Sequence, residues 1–326
     1  MLVAIYGAGS WGTALSWLLA KNGVDVLLWG RSSEVAGWIE GHHANFRYFP
    51  DLTLPGNVRA TSDLGLTRGA DVKVLALPSS TVREVLEQLP PLDGLIVIAS
   101  KGFGQNGELI SDLVCSMSPT AIPVALSGPN LANEIIEGIP TAAVAASPDE
   151  DSAKRVQKLF SSESFRVYLS TDIRGVELAG ALKNVLAIAA GMSDGLGFGD
   201  NTKGALLARG LNEIARLGCS RGARLETFMG LAGVGDLFAT ANSKLSRNYR
   251  VGFALGRGNS LEKAIEDVGQ IAEGVPTALL ADHMARAKGL ELPLVSSVSA
   301  IIQGRLDPRS AVEQLMTRNA RAERWE

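Results

Sequence analysis

The stretch Leu2–Trp29, LVAIYGAGSWGTALSWLLAKNGVDVLLW, decides the fold. Leu2–Tyr6 is a short apolar run and reads as a strand. GAGSWG follows at Gly7–Gly12, Thr13–Asn22 has helical spacing, and Val24–Trp29 reads as a second strand. A lone G-x-G-x-x-G is a weak signal, because ordinary glycine turns share it. Between a strand and a helix, with another strand close behind, it is a strong one. Gly7 allows the tight turn, Gly9 lets the backbone approach a pyrophosphate, and Gly12 lets the helix pack against the strand. The helix start then offers N–H groups and a partial positive charge to phosphate.

Working outward, the end of the second strand carries the cofactor choice. An NAD-selective enzyme usually places Asp or Glu there, on the ribose hydroxyls. This chain reads Trp29-Gly30-Arg31-Ser32-Ser33. Arg31 either meets a 2′-phosphate through charge-assisted hydrogen bonds or is a solvated surface charge. The missing carboxylate weighs more than the arginine. NADPH is therefore the expected cofactor, with NADH also used. Strand patterns continue at Val72–Leu77, Leu95–Ser100, Pro123–Ser127 and Thr141–Ala146, with helical patterns at Thr81–Gln88, Gly107–Met117 and Leu131–Gly138. That alternation predicts an α/β, doubly wound, mostly parallel sheet of Rossmann type. Ligands of such sheets bind outside the strand carboxyl ends. Pro78-Ser79-Ser80, Lys101-Gly102 and Gly128-Pro129-Asn130 stand at three of them. Lys101 is either a pocket lysine or merely exposed.

The second half changes character. Asp151–Ser162 and a short Phe165–Leu169 run lead into Arg174–Asp194, RGVELAGALKNVLAIAAGMSD. Apolar positions run almost all the way round a 3.6-residue period, which marks a buried helix. Between Leu178 and Met192 the one charge is Lys183. A buried lysine is paired, or its pKa falls toward neutrality and it can exchange protons. The alternative is that Lys183 snorkels to a wet edge. Asn184 beside it adds a second polar group where packing alone wants none, which points to a site and makes Asn184 and Lys183 candidate substrate contacts. Helices are expected at Asn201–Leu217, Leu225–Gly230, Leu261–Val268, Val275–Lys288, Leu294–Gln303 and Pro308–Met316, with no strand. The expected division is 1–171, a nucleotide-binding domain, and 172–326, an all-helical domain whose side chains close over the cofactor cleft. Gly195–Gly199 reads as a flexible connection. The loop Gly230–Asp236 ends in a carboxylate, which alone is more often a helix cap. Ser246-Arg247-Asn248 is a cluster of donors suited to a phosphate monoester, although an Arg-Asn pair alone is more often surface.

Composition narrows the class. Of 326 residues 46% are hydrophobic and 20% charged, with a net charge of −3, which reads as a soluble globule without nucleic-acid partners. The first apolar run is too short for a signal peptide, and no membrane span is expected. Cys115 and Cys219 lack a C-x-x-C and are expected as buried thiols in a reducing compartment. His42, His43 and His283 lack ligand spacing, so no metal site is expected.

Taken together, these motifs closely resemble the bacterial NAD(P)-dependent glycerol-3-phosphate dehydrogenases. The match runs from GAGSWGTAL through SKG at Ser100–Gly102, SGP at Ser127–Pro129, LKNVLAIAAGMSDG at Leu182–Gly195, NTK at Asn201–Lys203, GVGDL at Gly233–Leu237, SRN at Ser246–Asn248 and GQIAEG at Gly269–Gly274. By resemblance, Lys183 is the catalytic lysine, the proton acceptor when glycerol 3-phosphate is oxidised. Lys101 touches both cofactor and substrate. Ser10, Trp11, Arg31, Ala132, Ile271 and Glu273 contact the cofactor. Gly128, Asp236, Ser246 and Asn248 contact substrate, and Arg247 meets both. The family reads Ser or Thr then Phe where this chain has Asn130-Leu131, so Asn130 would donate in place of a hydroxyl. The implied reaction is reduction of dihydroxyacetone phosphate to sn-glycerol 3-phosphate, feeding glycerophospholipid synthesis, in a cytoplasmic homodimer. In it Lys183 donates the proton, Lys101 stabilises oxyanion charge and lowers the pKa of Lys183, and Asp236 holds Lys183 or a substrate hydroxyl. The competing readings are a two-domain reductase of 2-keto or 3-hydroxy acids, and a nucleotide-sensing protein without turnover.

Overall fold

The computed structural model describes residues 1–319. Residues 320–326, the end of the second expected domain, lie outside them. The chain divides into two compact units, Met1–Ile173 and a second that begins at Arg174.

The first unit holds eight strands, β1 Leu2–Tyr6, β2 Asp25–Trp29, β3 Val58–Thr61, β4 Val72–Leu75, β5 Gly94–Ile98, β6 Ala121–Ser127, β7 Thr141–Ala146 and β8 Phe165–Ser170. They form one sheet in the order β3-β2-β1-β4-β5-β6-β7-β8. Every pair is parallel except β6–β7, which is antiparallel. Its helices are α1 Ser10–Lys21, α2 Ser33–His42, α3 Val82–Glu87, α4 Ile110–Met117, α5 Ala132–Ile136 and α6 Glu150–Phe160. Successive strand residues face opposite sides. Val3 and Ile5 of β1 pack with Leu15, Leu18 and Leu19 of α1, while Ala4 and Tyr6 pack with Val82 and Val85 of α3. Each fully buried leucine there stabilises the fold by about 1.5–3 kcal/mol relative to exposure. Both faces are covered, which is why these strands read as continuous apolar runs.

The second unit is helical: α7 Ile173–Gly195, α8 Asp200–Cys219, α9 Leu225–Phe228, α10 Asp236–Asn242, α11 Arg247–Gly256, α12 Leu261–Val268, α13 Gly274–Ala287, α14 Pro293–Ile302 and α15 Pro308–Met316. Among the described residues α7 alone is long and apolar enough to cross a membrane, and it is wholly buried in protein. The backbones of α7 and α11 pack in direct contact. A Cβ at Gly191 would land on the Tyr249 carbonyl, and one at Gly252 on the Ile188 carbonyl. Glycines at the crossing are therefore a packing requirement.

Several expectations need correction. The stretch Gly230–Asp236 is no loop. Leu231–Gly235 forms a π-helical turn that runs straight into α10. Gly233 is there because a Cβ would strike the Phe228 carbonyl. Helices α2, α10 and α11 and strand β3 lack a legible pattern in sequence; glycines interrupt the apolar spacing of α2 and α11. Both cysteines are exposed rather than buried, and neither is in a disulfide.

Candidate active site

In the first unit, the fingerprint folds into a turn fit for a dinucleotide pyrophosphate. Gly7 has φ 121°, and a Cβ there would sit 2.5 Å from the Ala76 carbonyl oxygen. A Cβ on Gly12 would land on the Gly7 carbonyl. Around Gly9, by contrast, nothing lies within 4 Å of an added Cβ, so the turn is open on that side, as close approach of a pyrophosphate requires. Gly9 caps α1, whose first turn, from Ser10, carries no acidic residue. That end of the helix favours an anion. The Trp11 indole N–H donates to the Ala99 carbonyl at 3.0 Å, which ties the turn to the end of β5. Arg31, just past β2, donates to Glu84 at 3.0 Å across exposed surface. Ser32 caps α2 by accepting from the Val35 N–H.

A second group gathers beyond β5 and β6. The Lys101 ammonium donates to the Gly128 carbonyl at 2.8 Å. Gly128 has φ 147°, and a Cβ there would press on the Ala142 carbonyl at 2.8 Å. Asn130 donates from Nδ2 to that same Ala142 oxygen at 3.1 Å. This bond fixes the amide orientation, and Oδ1 is left buried without a partner. Asn130 therefore offers a buried acceptor in addition to the remaining hydrogen of its amide nitrogen. Ala132 opens the short helix α5 that follows.

In the second unit, the lysine on α7 is buried and not snorkelling; its side chain is 6% exposed and that of Asp236 3%. Its ammonium donates to Asp236 Oδ1 at 3.1 Å and to Thr240 Oγ1 at 2.5 Å, and the Thr240 hydroxyl donates to Asp236 at 3.1 Å. Asp236 and Thr240 stand one turn apart on α10, so one helix face presents both oxygens to one nitrogen. One residue along α7, Asn184 Oδ1 accepts from Asn248 Nδ2 at 2.9 Å, and Asn248 Oδ1 accepts from the Gly274 N–H at 2.9 Å. Only an oxygen can accept from that N–H, so both amides have a fixed sense. Ser246 caps α11 by accepting from the Tyr249 N–H, and Arg247 opens the helix at its exposed face. Ile271 is 51% exposed, and Glu273 caps α13 beside Gly274. Among the described residues no group of three or more His, Cys, Asp or Glu is placed to hold a metal ion.

Sequence comparison matches this layout part by part. The profile of the NAD-dependent glycerol-3-phosphate dehydrogenase N-terminus covers residues 2–153, and that of the C-terminus covers 172–313. A glycerol-3-phosphate dehydrogenase [NAD(P)+] of Geobacter sulfurreducens is 45% identical over 99% of both chains. One from Nitratidesulfovibrio vulgaris is 43% identical, over 99% of this chain and 100% of that one.

The chain belongs to the NAD(P)-dependent glycerol-3-phosphate dehydrogenase family.

The crystal structure of a glycerol-3-phosphate dehydrogenase from Coxiella burnetii superposes with a TM-score of 0.93 at 36% identity, covering 97% of this chain and 99% of that one. Within this member of the glycerol-3-phosphate dehydrogenases, Lys101, Gly128 and Asn130 converge in the first unit. Lys183 and Asp236 converge in the second, as do Asn184, Asn248 and Gly274. The guanidinium of Arg31 is engaged by Glu84 instead. Sequence reading missed Thr240. The i, i+4 spacing from Asp236 is the signal that finds it, but only once this stretch is known to be a helix.

Proposed function

We propose that this enzyme reduces dihydroxyacetone phosphate to sn-glycerol 3-phosphate, preferring NADPH and also using NADH. The observation that carries the reading is the buried Lys183–Asp236–Thr240 cluster, in a chain whose other unit holds a dinucleotide turn. A bound reduced nicotinamide supplies the hydride. Lys183 gives the balancing proton to the carbonyl oxygen as charge develops there. Asp236 and Thr240 fix the direction of its ammonium, so the proton is delivered along one line rather than searched for. Ser246, Arg247 and Asn248 hold the substrate phosphate. Lys101 and the backbone at Gly128 meet the substrate, and the unpartnered oxygen of Asn130 accepts from a substrate hydroxyl. The turn at Gly7, Gly9, Ser10, Trp11 and Gly12 holds the pyrophosphate, with Ala132, Arg247, Ile271 and Glu273 as further cofactor contacts. Arg31 receives the 2′-phosphate that distinguishes NADPH.

Residues 1–171 thus serve nucleotide binding and 172–326 substrate binding and proton transfer. The product suits glycerophospholipid synthesis in the cytoplasm, and the working form is a homodimer, which sedimentation of the purified enzyme checks. The decisive assay is NADPH oxidation with and without dihydroxyacetone phosphate. Turnover that needs the triose phosphate supports the reading. Turnover with 2-keto acids instead, or NADPH binding without turnover, overturns it.

A further inference from the structure

The end of β2 carries a charge pair that proton and hydride transfer do not use. Gly30 runs hard against the glycine turn; a Cβ on it would stand 2.8 Å from the Ala8 Cβ. Arg31 follows directly, so its side chain leaves the backbone beside the turn that fits the phosphates. Its Nη2 donates to Glu84 Oε2, on α3, at 3.0 Å, and the two side chains are 64% and 51% exposed. Both side chains are largely open to water, and an exposed pair of this kind adds little to stability. Arg31 also lines a hollow of about 450 Å³, together with Trp29, Ser62, Asp63, Arg68 and Gln88. Glu84 is not part of that lining. The guanidinium thus stands between two alternatives, a carboxylate on α3 and an anion that enters beside the glycine turn.

We infer that Glu84 is a specificity-determining residue, which lowers the preference for NADPH by competing with its 2′-phosphate for Arg31. The inference rests on the reading above that Arg31 receives that phosphate. A phosphate monoester and a carboxylate on one guanidinium repel each other, so the phosphate must displace Glu84 or accept a shared partner. The unphosphorylated ribose of NADH makes no such demand and leaves the pair intact. The site is open to water, so the competition is screened and changes affinity a few-fold rather than by orders of magnitude.

The test is equilibrium binding, by calorimetry at low salt, of adenosine 2′,5′-bisphosphate and of 5′-AMP. It uses the full-length wild type, Glu84→Gln, Arg31→Ala and the double variant. Glu84→Gln is expected to tighten the bisphosphate about threefold and leave 5′-AMP unchanged. The gain is expected to vanish in the Arg31→Ala background, because the competition has lost its object. If Arg31→Ala weakens the bisphosphate but Glu84→Gln does not tighten it, the inference about Glu84 is wrong and the Arg31 reading stands. A gain that persists without Arg31 also overturns the inference, since Glu84 then acts by general repulsion. Equal bisphosphate affinity in wild type and Arg31→Ala overturns the Arg31 reading and the inference with it.

Discussion

Lys183 is a charge in a place that tolerates one only on conditions. Removing an ion from water costs several kcal/mol, and a partner at hydrogen-bond distance offsets that cost only if the remaining bonds are also satisfied. Asp236 and Thr240 meet those conditions with bonds of 3.1 and 2.5 Å. Lys183→Ala is expected to lower kcat by at least the 10²–10⁴-fold typical of a general acid, while NADPH binding stays within a few-fold of wild type. Retention of a third of wild-type turnover would remove Lys183 from the mechanism. At Arg31 the expectation is a reversal of preference. Arg31→Asp supplies a ribose acceptor and a repulsion against the 2′-phosphate together. kcat/KM for both cofactors in both proteins checks it. An unchanged ratio would make Arg31 a solvated surface residue.

At the scale of elements, the crossing of α7 and α11 sets the distance between Asn184 and Asn248. The two backbones touch at Gly191 and Gly252, and the amide–amide bond of 2.9 Å lies along the same contact. Gly252→Ala has to push the helices apart. It is expected to lower stability by about 1–3 kcal/mol or more, and to raise the KM for dihydroxyacetone phosphate as Ser246–Asn248 move. Normal KM and unaltered denaturation would show that the crossing has slack. Glu213 of α8 gives a pH-dependent element. It is buried, and it accepts the N–H groups of Leu294 and Val295 at the start of α14. Burial pushes its carboxyl up to about 6, against the opposing pull of those bonds and of Arg209 and Arg216. The folded chain therefore binds this proton more tightly than the unfolded one. Its contribution to stability is fully present below about 4.5, the unfolded value, and is lost as pH rises through about 6, for a total of about 2 kcal/mol. Relative to Glu213→Gln, wild type is expected to lose stability across that window. Denaturation curves of the two proteins that differ by the same amount at pH 4.5 and pH 7 would refute the assignment.

For the whole molecule, binding and folding are linked. A ligand that binds only the native state stabilises it by about 2.7 kcal/mol at one hundred times its Kd. NADPH at that level is expected to raise the Tm by several degrees. Gly9 separates binding from folding, because an added Cβ meets nothing of the protein within 4 Å. Gly9→Val should melt like wild type without cofactor and lose the shift with it. A variant that keeps the full shift would place the pyrophosphate elsewhere.

Sequence alone determined the first sheet strands, the glycine turn and the long buried helix, because local physics decides each of them. A two-sided apolar run, glycines at fixed offsets and an all-round apolar helix need no distant partner to be legible. Lys183 was legible as a lone charge in such a helix. The family motifs then put roles on Lys101, Asp236 and Ser246–Asn248 by resemblance. What only tertiary structure decided is which distant groups meet. Thr240 joins Lys183 from 57 residues away, and Asn248 reaches Asn184 across 64. The stretch Gly230–Asp236 looks like a loop because glycine is a poor helix former. The structure makes it a π-helical turn, in which the Phe228 backbone leaves no room for a side chain at Gly233. Arg31 shows the same limit from the other side. Its position at the end of β2 is written in the sequence, but its partner Glu84 lies 53 residues on, where only the folded sheet and α3 bring the two charges together.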